Sequence, residues 1–337
     1  MEDTRTSSSR NDPSAEYEAL SEGAALVDLS HRTILRLVGK DPVGMLNAIL
    51  TNDVPSDERL GVYAALLNPK GRVRTDLRVL KSGTDILVDT GPEGAEAAKE
   101  ILGRYAPFSR VKMEDLSSGD APWAILGLYG PQAGELIGNP DLAEHETVEV
   151  TVGGTLALVA GVAAPVGGYD LICPSGSLRA VREHLIGAGA KPTGNDAHET
   201  ARIAAGIPRF GVDITPDNFP GESENFLQRA VSFGKGCYPG QETVARMHYR
   251  GSPNKKLYRF ELESGSMEPP EGGDEILQGE KKLAGQVSSV DVVGWITSVV
   301  PLPVDGKVYA LGYLSRKADL EAPMRAEDAK VLAVAPA

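Results

Sequence analysis

The sequence of 337 residues contains little cysteine and few aromatic residues, and these shortages exclude several classes of protein. Its two cysteines, Cys173 and Cys237, provide neither a metal-binding spacing nor a disulfide framework, which suits a reducing cytoplasm. The five histidines are scattered and form no metal-binding motif. Because no apolar run reaches the length of a membrane span, we expect a cytoplasmic protein without membrane contact.

Basic residues are also in deficit. The chain carries 47 acidic residues against 34 lysines and arginines, a formal net charge of −13. Nucleic acids and anionic membranes repel a surface of that sign, so we expect no direct nucleic-acid partner. A local basic pocket for a small anion stays compatible with this charge.

The order of patterns along the chain predicts two domains after a polar tail. Residues 1–14 are expected to be disordered. Residues 15–250 alternate strand-like and helix-like segments, which predicts an α+β domain with mixed or antiparallel sheets. After a Gly-Ser-Pro-Asn breaker the segments become short strands separated by turns. Residues 251–337 are therefore predicted to form a small C-terminal β-barrel.

A hairpin is predicted from residue 63 to residue 80, with Asn68-Pro69-Lys70-Gly71 as its turn. The alternation of its second strand places Asp76 on one face with three arginines, at positions 72, 74 and 78. This face is either a solvated surface or the wall of a polar pocket. Helix starts are predicted at Asp41-Pro42 and at Asp196, where Glu199 completes a capping box. His198, in the first turn after Asp196, is expected to be solvated.

One stretch, from Phe233 to Glu242, combines tight backbone with a potential nucleophile. It reads Phe-Gly-Lys-Gly-Cys-Tyr-Pro-Gly-Gln-Glu, and a helix is predicted to begin just after the proline and glycine. Cys237 is either an inert thiol packed under a glycine turn or a functional thiol. Lys235 and the following helix N-terminus would favour the thiolate in the second case.

This stretch resembles the signature of the YgfZ family of folate-binding proteins, a branch of the GcvT superfamily whose parent is the glycine-cleavage aminomethyltransferase. The match rests on Lys235, Gly236, Cys237, Tyr238, Gly240, Gln241, Glu242, Val244, Ala245 and Arg246. A weaker likeness extends from about residue 26 to residue 317. The resemblance implies a GcvT-like folate-binding domain with a C-terminal β-barrel, and tetrahydrofolate or a derivative as the cofactor. It also implies Cys237 at or near the mouth of the folate pocket. For Glu242 and Arg246 the simplest interpretation is an ion pair along one helix face.

The resemblance assigns three further residues. Asp76 corresponds to one of two adjacent acids that assist at the folate nitrogens in the aminomethyltransferase, and Thr75 replaces the other. Asp170 corresponds to the strand acid that holds the pterin ring, where the parent has Glu. Arg202 corresponds to a superfamily arginine that reaches a folate carboxylate or braces the acid.

The function implied is binding of tetrahydrofolate in support of iron–sulfur cluster assembly or repair in client enzymes, including tRNA-modifying radical enzymes. Its partners would be folate and iron–sulfur client or assembly proteins. A single thiol cannot hold a cluster, which needs about four ligands, so Cys237 would be a transient ligand, a redox-sensitive thiol or a nucleophile. Two alternatives stay open. One is a folate-dependent aminomethyltransferase or other one-carbon transferase that uses Asp76. The other is a non-catalytic interaction module with folate as a structural ligand.

Overall fold

The computed structural model describes residues 13–265, 269–279, 290–304 and 306–337. Residues 1–12 of the predicted tail lie outside this range, and Pro13 and Ser14 already belong to the first helix. The helices are α1 (Pro13–Glu22), α2 (Pro42–Ile49), α3 (Ala95–Tyr105), α4 (Leu178–Gly187), α5 (Asn195–Ala204), α6 (Glu224–Ala230) and α7 (Gln241–Arg250). The strands are β1 (Ala25–Asp28), β2 (Thr33–Gly39), β3 (Val62–Leu67), β4 (Val73–Ser82), β5 (Asp85–Thr90), β6 (Val111–Asp115), β7 (Trp123–Tyr129), β8 (Thr147–Val152), β9 (Thr155–Val162), β10 (Gly168–Pro174), β11 (Lys191–Thr193), β12 (Lys255–Leu262), β13 (Glu275–Gln278), β14 (Asp291–Val299), β15 (Val308–Ser315), β16 (Met324–Ala326) and β17 (Ala329–Pro336).

The first sheet is antiparallel, with the strand order β3-β4-β5-β2-β6. In β4, Leu77 and Val79 are buried in a core that also includes Leu46 of α2 and Leu102 of α3. The alternate residues of β4 face the other way, because successive side chains of a strand point to opposite faces. Asp76 and Arg78 of the predicted polar face therefore turn away from these helices. Arg74 departs from the prediction, because it lies at a register shift of the β3–β4 pairing and contacts Glu100 of α3 at 3.8 Å.

The second sheet has the order β11-β1-β7-β10-β9-β8. It is mixed, because β1 runs parallel to β11 while the other pairs are antiparallel. A shared core joins the sheets, with Ile34 and Leu80 from the first and Ile125 and Ile172 from the second. Polar side chains of both sheets therefore meet across the same interface.

The C-terminal strands close into a barrel with the order β12-β15-β14-β13-β16-β17. Phe260, Ile276 and Leu314 are among its buried core residues. Helix α7 ends at Arg250 and β12 begins at Lys255, so the breaker lies between helix and barrel. The predicted α+β domain with mixed and antiparallel sheets, followed by a small β-barrel, is confirmed.

Two helix starts test the local reading of the sequence. The Asp41 side chain accepts a hydrogen bond from the backbone N–H of Gly44 at 2.8 Å, which confirms the predicted cap of α2. The capping box at Asp196 is wrong, because α5 begins at Asn195 with Gly194 in the cap position. Glu199 instead pairs with Arg202, one turn further along the helix, at 2.9 Å. Because Gly194 is the cap, the third helical position is Ala197, and Glu199 lies two residues too far along the helix to complete a capping box.

Candidate functional site

A cavity of about 260 Å³ opens between the two sheets and side chains from residues 195–209 and Arg229. Its polar wall is built by side chains of β3, β4, β7 and β10 together with α5, α6 and the loop after α5. These residues include Tyr63, Asp76, Arg78, Tyr129, Asp170, His198, Arg202, Arg209 and Arg229. The strand face with Asp76 and Arg78 is therefore a pocket wall rather than a solvated surface.

Asp76 lies in this wall with its carboxylate held by one neighbour. The hydroxyl of Tyr63 donates to Asp76 Oδ2 at 2.6 Å, across the hairpin. Burial raises the pKa of Asp76, and it also raises the pKa of Tyr63 well above its ordinary value. A carboxyl with a raised pKa keeps its proton to a higher pH than an exposed one.

Thr75, the neighbour of Asp76, faces the opposite side of the sheet. It is fully buried, and its hydroxyl lies 3.2 Å from that of Thr90. A side chain on Gly94 would collide with it, so Thr75 points toward the α3 side. An acid at position 75 would therefore not reach the cavity from this strand.

Asp170 lies at the far wall and takes part in a chain of buried charges. Arg78 donates to Asp170 Oδ2 at 2.6 Å, and the Tyr129 hydroxyl donates to Oδ1 at 2.5 Å. Arg78 also binds Asp89, which Arg32 contacts at 2.6 Å from its other side. Burial alone would raise the pKa of Asp89, but the two guanidiniums hold it below its ordinary value. The strand acid is thus presented in a fixed orientation by its neighbours.

A glycine in β7 makes room for this arrangement. Gly127 pairs with Asp170 across the strands, and a Cβ on Gly127 would collide with the ring of Tyr129. The tyrosine therefore lies along its own strand and reaches the carboxylate. His198 stacks on the same ring, with centroids 5.5 Å apart and planes at 10°. Burial lowers the pKa of His198, so the expectation of a solvated histidine is wrong.

Arg202 reaches the cavity edge, but its guanidinium is engaged within the protein. It donates to Asp213 at 2.7 Å, to the carbonyl of Ile207 at 2.7 Å and to Glu199 at 2.9 Å. A further hydrogen bond at 3.2 Å reaches Ser298 of the barrel. With its donors occupied, Arg202 joins α5 to the barrel, and it does not brace Asp170. Arg209, 44% exposed, is the freer cation at this edge.

A second lobe of about 260 Å³ adjoins the cavity, because Arg32, Asp76 and Arg209 line both. Its outer wall includes Gly91, Pro92, Glu93 and Phe210. The two lobes give room for an extended ligand whose ends meet different surroundings. Asp76 lies at the junction.

The Cys237 loop occupies another part of the molecule. Gly240 packs on the β3–β4 turn, where a Cβ would lie 2.6 Å from the carbonyl of Asn68. Gly71 of that turn is five residues from Asp76, about 16 Å along an extended strand. Cys237 is absent from the described lining of both lobes, whereas the resemblance implied a position at or near the mouth of the folate pocket.

The thiol of Cys237 is exposed, whereas Cys173 is buried in the core of the second sheet. An inert cysteine packed beneath the turn is therefore excluded. Lys235 does not serve the thiol as expected, because its ammonium donates to the carbonyls of Asn47 at 2.8 Å and Leu50 at 2.6 Å. It neutralises the C-terminal end of α2, where carbonyl groups lack partners. Tyr238 anchors the loop in a core with Val244.

The remaining motif residues lie at the start of α7. Gln241 begins this helix, and its amide approaches the carbonyl of Gly236 at 3.4 Å. Glu242 and Arg246 are both exposed, and the described contacts include no ion pair between them. The i,i+4 pair expected from spacing does not form, which leaves Arg246 available at the surface.

Sequence reasoning missed Tyr63, Asp89, Tyr129 and Arg229. Hairpin register was the available signal, because it places Tyr63 opposite Arg78 and Arg78 opposite Asp89. No comparable local signal marks Tyr129 and Arg229, which the tertiary fold brings to the cavity. Within the described ranges, no group of three or more His, Cys, Asp or Glu side chains is placed to hold a metal ion. No helix in those ranges is long and apolar enough to cross a membrane.

The architecture and the polar cavity define a class of protein. Residues 5–235 match the GCVT N-terminal domain family, and the chain belongs to this family. The glycine cleavage system aminomethyltransferase T from Bartonella henselae has the same fold, with a TM-score of 0.75, 21% identity, and coverage of 96% of this chain and 87% of that one.

Relatives at the sequence level fall into more than one functional group. The aminomethyltransferase of Rubrobacter xylanophilus is 27% identical over 89% of this chain and 78% of its own length. The tRNA-modifying protein YgfZ of Pectobacterium atrosepticum is 29% identical over 82% of this chain and 84% of its own length. Membership of the family therefore does not distinguish between these activities, and the residues of the site have to do so.

Proposed function

We propose that this protein binds tetrahydrofolate in the cavity and supports assembly or repair of iron–sulfur clusters in client enzymes of the cytoplasm. The observation that carries the proposal is that two acids, the buried Asp170 and Asp76, line the same cavity. The exposed Cys237 in its YgfZ-like motif, and the likeness to a tRNA-modifying YgfZ protein, support the second half of the proposal.

Asp170 would bind the pterin ring. The 2-amino-4-oxo edge of a pterin offers N–H donors, and a carboxylate has about four acceptor sites. Arg78 and Tyr129 occupy one site on each oxygen, which leaves acceptor capacity toward the ligand. Arg78 forms an ion pair with this side chain, and hydrogen bonds from a ligand to the carboxylate would be charge-assisted.

Asp76 would face the folate nitrogens at the junction of the two lobes. Its hydrogen bond from Tyr63 fixes Oδ2 and leaves Oδ1 for a ligand. The carboxyl can accept or donate a proton there, since burial raises its pKa. The outer lobe, with Arg32 and Arg209 in its wall, would take the remaining part of the ligand.

Cys237 would act on the client rather than on folate, because the loop lies away from the cavity. One thiolate supplies one of the roughly four ligands that a cluster needs. The client or a carrier would have to supply the others, so the contact would be transient. The account therefore requires two separate sites on one chain.

The test is restoration of iron–sulfur enzyme activity in cells that lack this protein, using Cys237→Ser and Asp170→Asn. Each variant should fold and yet fail to restore activity, while Cys173→Ser restores it. Purified Cys237→Ser should still bind tetrahydrofolate. Full restoration by Cys237→Ser would remove the thiol from the proposal.

A folate-dependent aminomethyltransferase is a second candidate, and the position of Asp76 favours it. Asp76, to which the resemblance assigns a role at the folate nitrogens, lies in the cavity. Thr75 faces the other side of the sheet, so an acid at that position would not add to the cavity. The discriminating assay is methylene-tetrahydrofolate formation from an aminomethyl-loaded carrier protein. Turnover near ~1 s⁻¹, lost in Asp76→Asn, would favour the transferase, whereas binding without turnover favours the first proposal.

A further inference from the structure

The segment from Thr243 to Phe260 has a charge unlike that of the rest of the chain. It contains five lysines and arginines and no acidic residue, in a protein of net charge −13. Arg259 and Lys255 are engaged, since Arg259 donates to the carbonyl of Ala204 and Lys255 lies over the rings of Trp295 and Tyr313. The cations left at the surface are Arg246, Arg250 and Lys256. None of these three forms an ion pair with a described residue.

Exposed aromatic groups lie beside these cations. Tyr249 is 68% exposed, and its ring meets the edges of His248 and Phe233. Phe233 and His248 stack with centroids 4.1 Å apart, so the three rings form one continuous aromatic cluster. Arginine, tyrosine and methionine are enriched at protein interfaces relative to other surfaces. The second half of α7 has this composition.

A notch of about 140 Å³ lies next to this surface. Leu227, Val244, Met247 and Pro253 supply its apolar walls, and His248 and Lys256 add polar groups. A recess of this size accepts a single apolar side chain, and methionine adapts to anchors of different shape. Binding of a nucleic-acid strand would use the cations and the aromatic rings but would not need the notch. The notch therefore favours a protein segment.

We propose that the surface formed by Arg246, Met247, His248, Tyr249, Arg250 and Lys256, here called the α7 patch, docks an acidic segment of a partner protein with one apolar anchor. The anchor would enter the notch, and carboxylates beside it would meet Arg246, Arg250 and Lys256. Screening limits electrostatic interactions to about 8–10 Å at physiological salt, so these local charges outweigh the distant net charge.

The position of the α7 patch connects it to the proposed function. Only the identification of the partner as an iron–sulfur client rests on that function. Phe233, which stacks on His248, precedes Cys237 by four residues. Four residues span at most about 14 Å of extended chain. A segment docked on the α7 patch would therefore bring its protein within reach of the exposed thiol.

The test uses the full chain and a fluorescein-labelled peptide of twelve residues in which Glu and Asp surround one central Leu. Wild-type protein should give saturable binding by fluorescence anisotropy, and the binding should weaken as salt rises. The Arg246→Gln/Arg250→Gln double variant should bind at least about tenfold more weakly. The matched control, Arg104→Gln/Arg179→Gln, removes two exposed helix arginines elsewhere and should stay within about twofold of wild type. Replacing the Leu of the peptide with Ala should cost at least about fivefold.

Three results would overturn the proposal: no binding of the peptide to wild type, equal loss in the control variant, or no effect of the Leu. Tighter binding of a twelve-nucleotide uridylate RNA, lost in the double variant, would assign the α7 patch to nucleic acid instead. Self-association in sedimentation, lost in that variant, would assign it to a second copy. Tetrahydrofolate titrations of the same samples separate the proposals, because failure of folate binding with intact peptide binding rejects only the proposed function.

Discussion

His145 is a buried residue whose Nε2 lies 3.7 Å from a carboxylate oxygen of Glu144. Its side chain lies near Arg78, Arg229 and Glu144, and its Nδ1 is buried without a hydrogen bond. Burial, reinforced by Arg78, lowers the pKa of His145 to about 4. The folded protein therefore binds the proton less readily than the unfolded chain, whose histidine titrates near ~6.5.

This difference predicts a loss of stability on acidification. As pH falls below about 6.5, protons bind the unfolded chain first, and the loss continues until the folded pKa is reached. Between pH 7 and pH 5 the contribution is about 2 kcal/mol. Asparagine tolerates the left-handed backbone at position 145 (φ 64°), so His145→Asn should fold. Its free energy of unfolding, measured with urea at several pH values, should depend less on pH than that of the wild type by this amount. The same pH dependence in both proteins would contradict the assignment.

The two thiols should differ in reactivity because one is exposed and the other is buried. Burial raises the pKa of Cys173, which further suppresses its thiolate. Native Cys173→Ser, which keeps Cys237, should be alkylated quickly by iodoacetamide. Native Cys237→Ser should react only after unfolding. Similar native rates would show that exposure does not distinguish the two sites.

At the scale of single residues, the sequence identified the two cavity acids but not their partners. Asp76 and Asp170 were accessible through short motifs. Asp89 follows three apolar residues of β5, and its role becomes visible only when Arg78 is placed opposite it. For Lys235 the sequence suggested a partner that the structure does not give it. It lies two residues from the Cys237 thiol in the chain, but its ammonium binds carbonyls at the end of α2.

At the scale of elements, Gly240 joins the Cys237 loop to the β3–β4 turn. Its φ of 83° favours glycine, and a Cβ would also press on Asn68 and Gly71. Gly240→Ala should lower the free energy of unfolding by more than about 1 kcal/mol. Gly236→Ala is the matched control, since open space surrounds Gly236, and it should change stability by less than about 0.5 kcal/mol. Equal effects in denaturant unfolding would show that the loop does not depend on this contact.

Helix and strand starts followed the sequence where local chemistry decides them. The Asp41 cap and the hairpin turn at residues 68–71 are set by residues close in the chain. Glu199 illustrates the limit, because the cap falls on Gly194 rather than Asp196 and Glu199 then lies beyond the third helical position. A capping pattern alone does not determine where a helix begins.

At the scale of the whole molecule, Arg202 and Asp213 hold the N-terminal region against the barrel. Asp213 is buried, and it also accepts hydrogen bonds from Thr297 at 2.5 Å and Ser298 at 2.6 Å. Arg202→Met leaves this carboxylate without its cation and should cost about 3–5 kcal/mol in urea unfolding.

Two controls accompany this variant. Arg209→Met removes a half-exposed arginine and should cost less than about 1 kcal/mol. Adding Asp213→Asn to Arg202→Met should recover part of the loss, because the unpaired charge is gone. If Arg202→Met costs no more stability than Arg209→Met, the Arg202–Asp213 pair does not hold the N-terminal region against the barrel.

The two-domain order was predictable because the change from mixed elements to short strands occurs at one breaker. The cavity was not predictable as a volume, since it depends on how far apart the two sheets hold their polar faces. Asp76 and Asp170 are separated by more than ninety positions in the chain and meet only through sheet packing. The separation of Cys237 from the cavity depends likewise on tertiary docking.

Calorimetric titration with tetrahydrofolate tests the central claim most directly. Wild-type protein should bind it, and Asp170→Ala should bind more weakly by about 1.5–3 kcal/mol, because a charged hydrogen-bonding partner is lost. Val162→Trp, which enlarges an apolar side chain of the cavity wall, should abolish binding while its thermal unfolding stays cooperative. Absence of binding to wild type, or unchanged affinity in both variants, would contradict a folate site in this cavity.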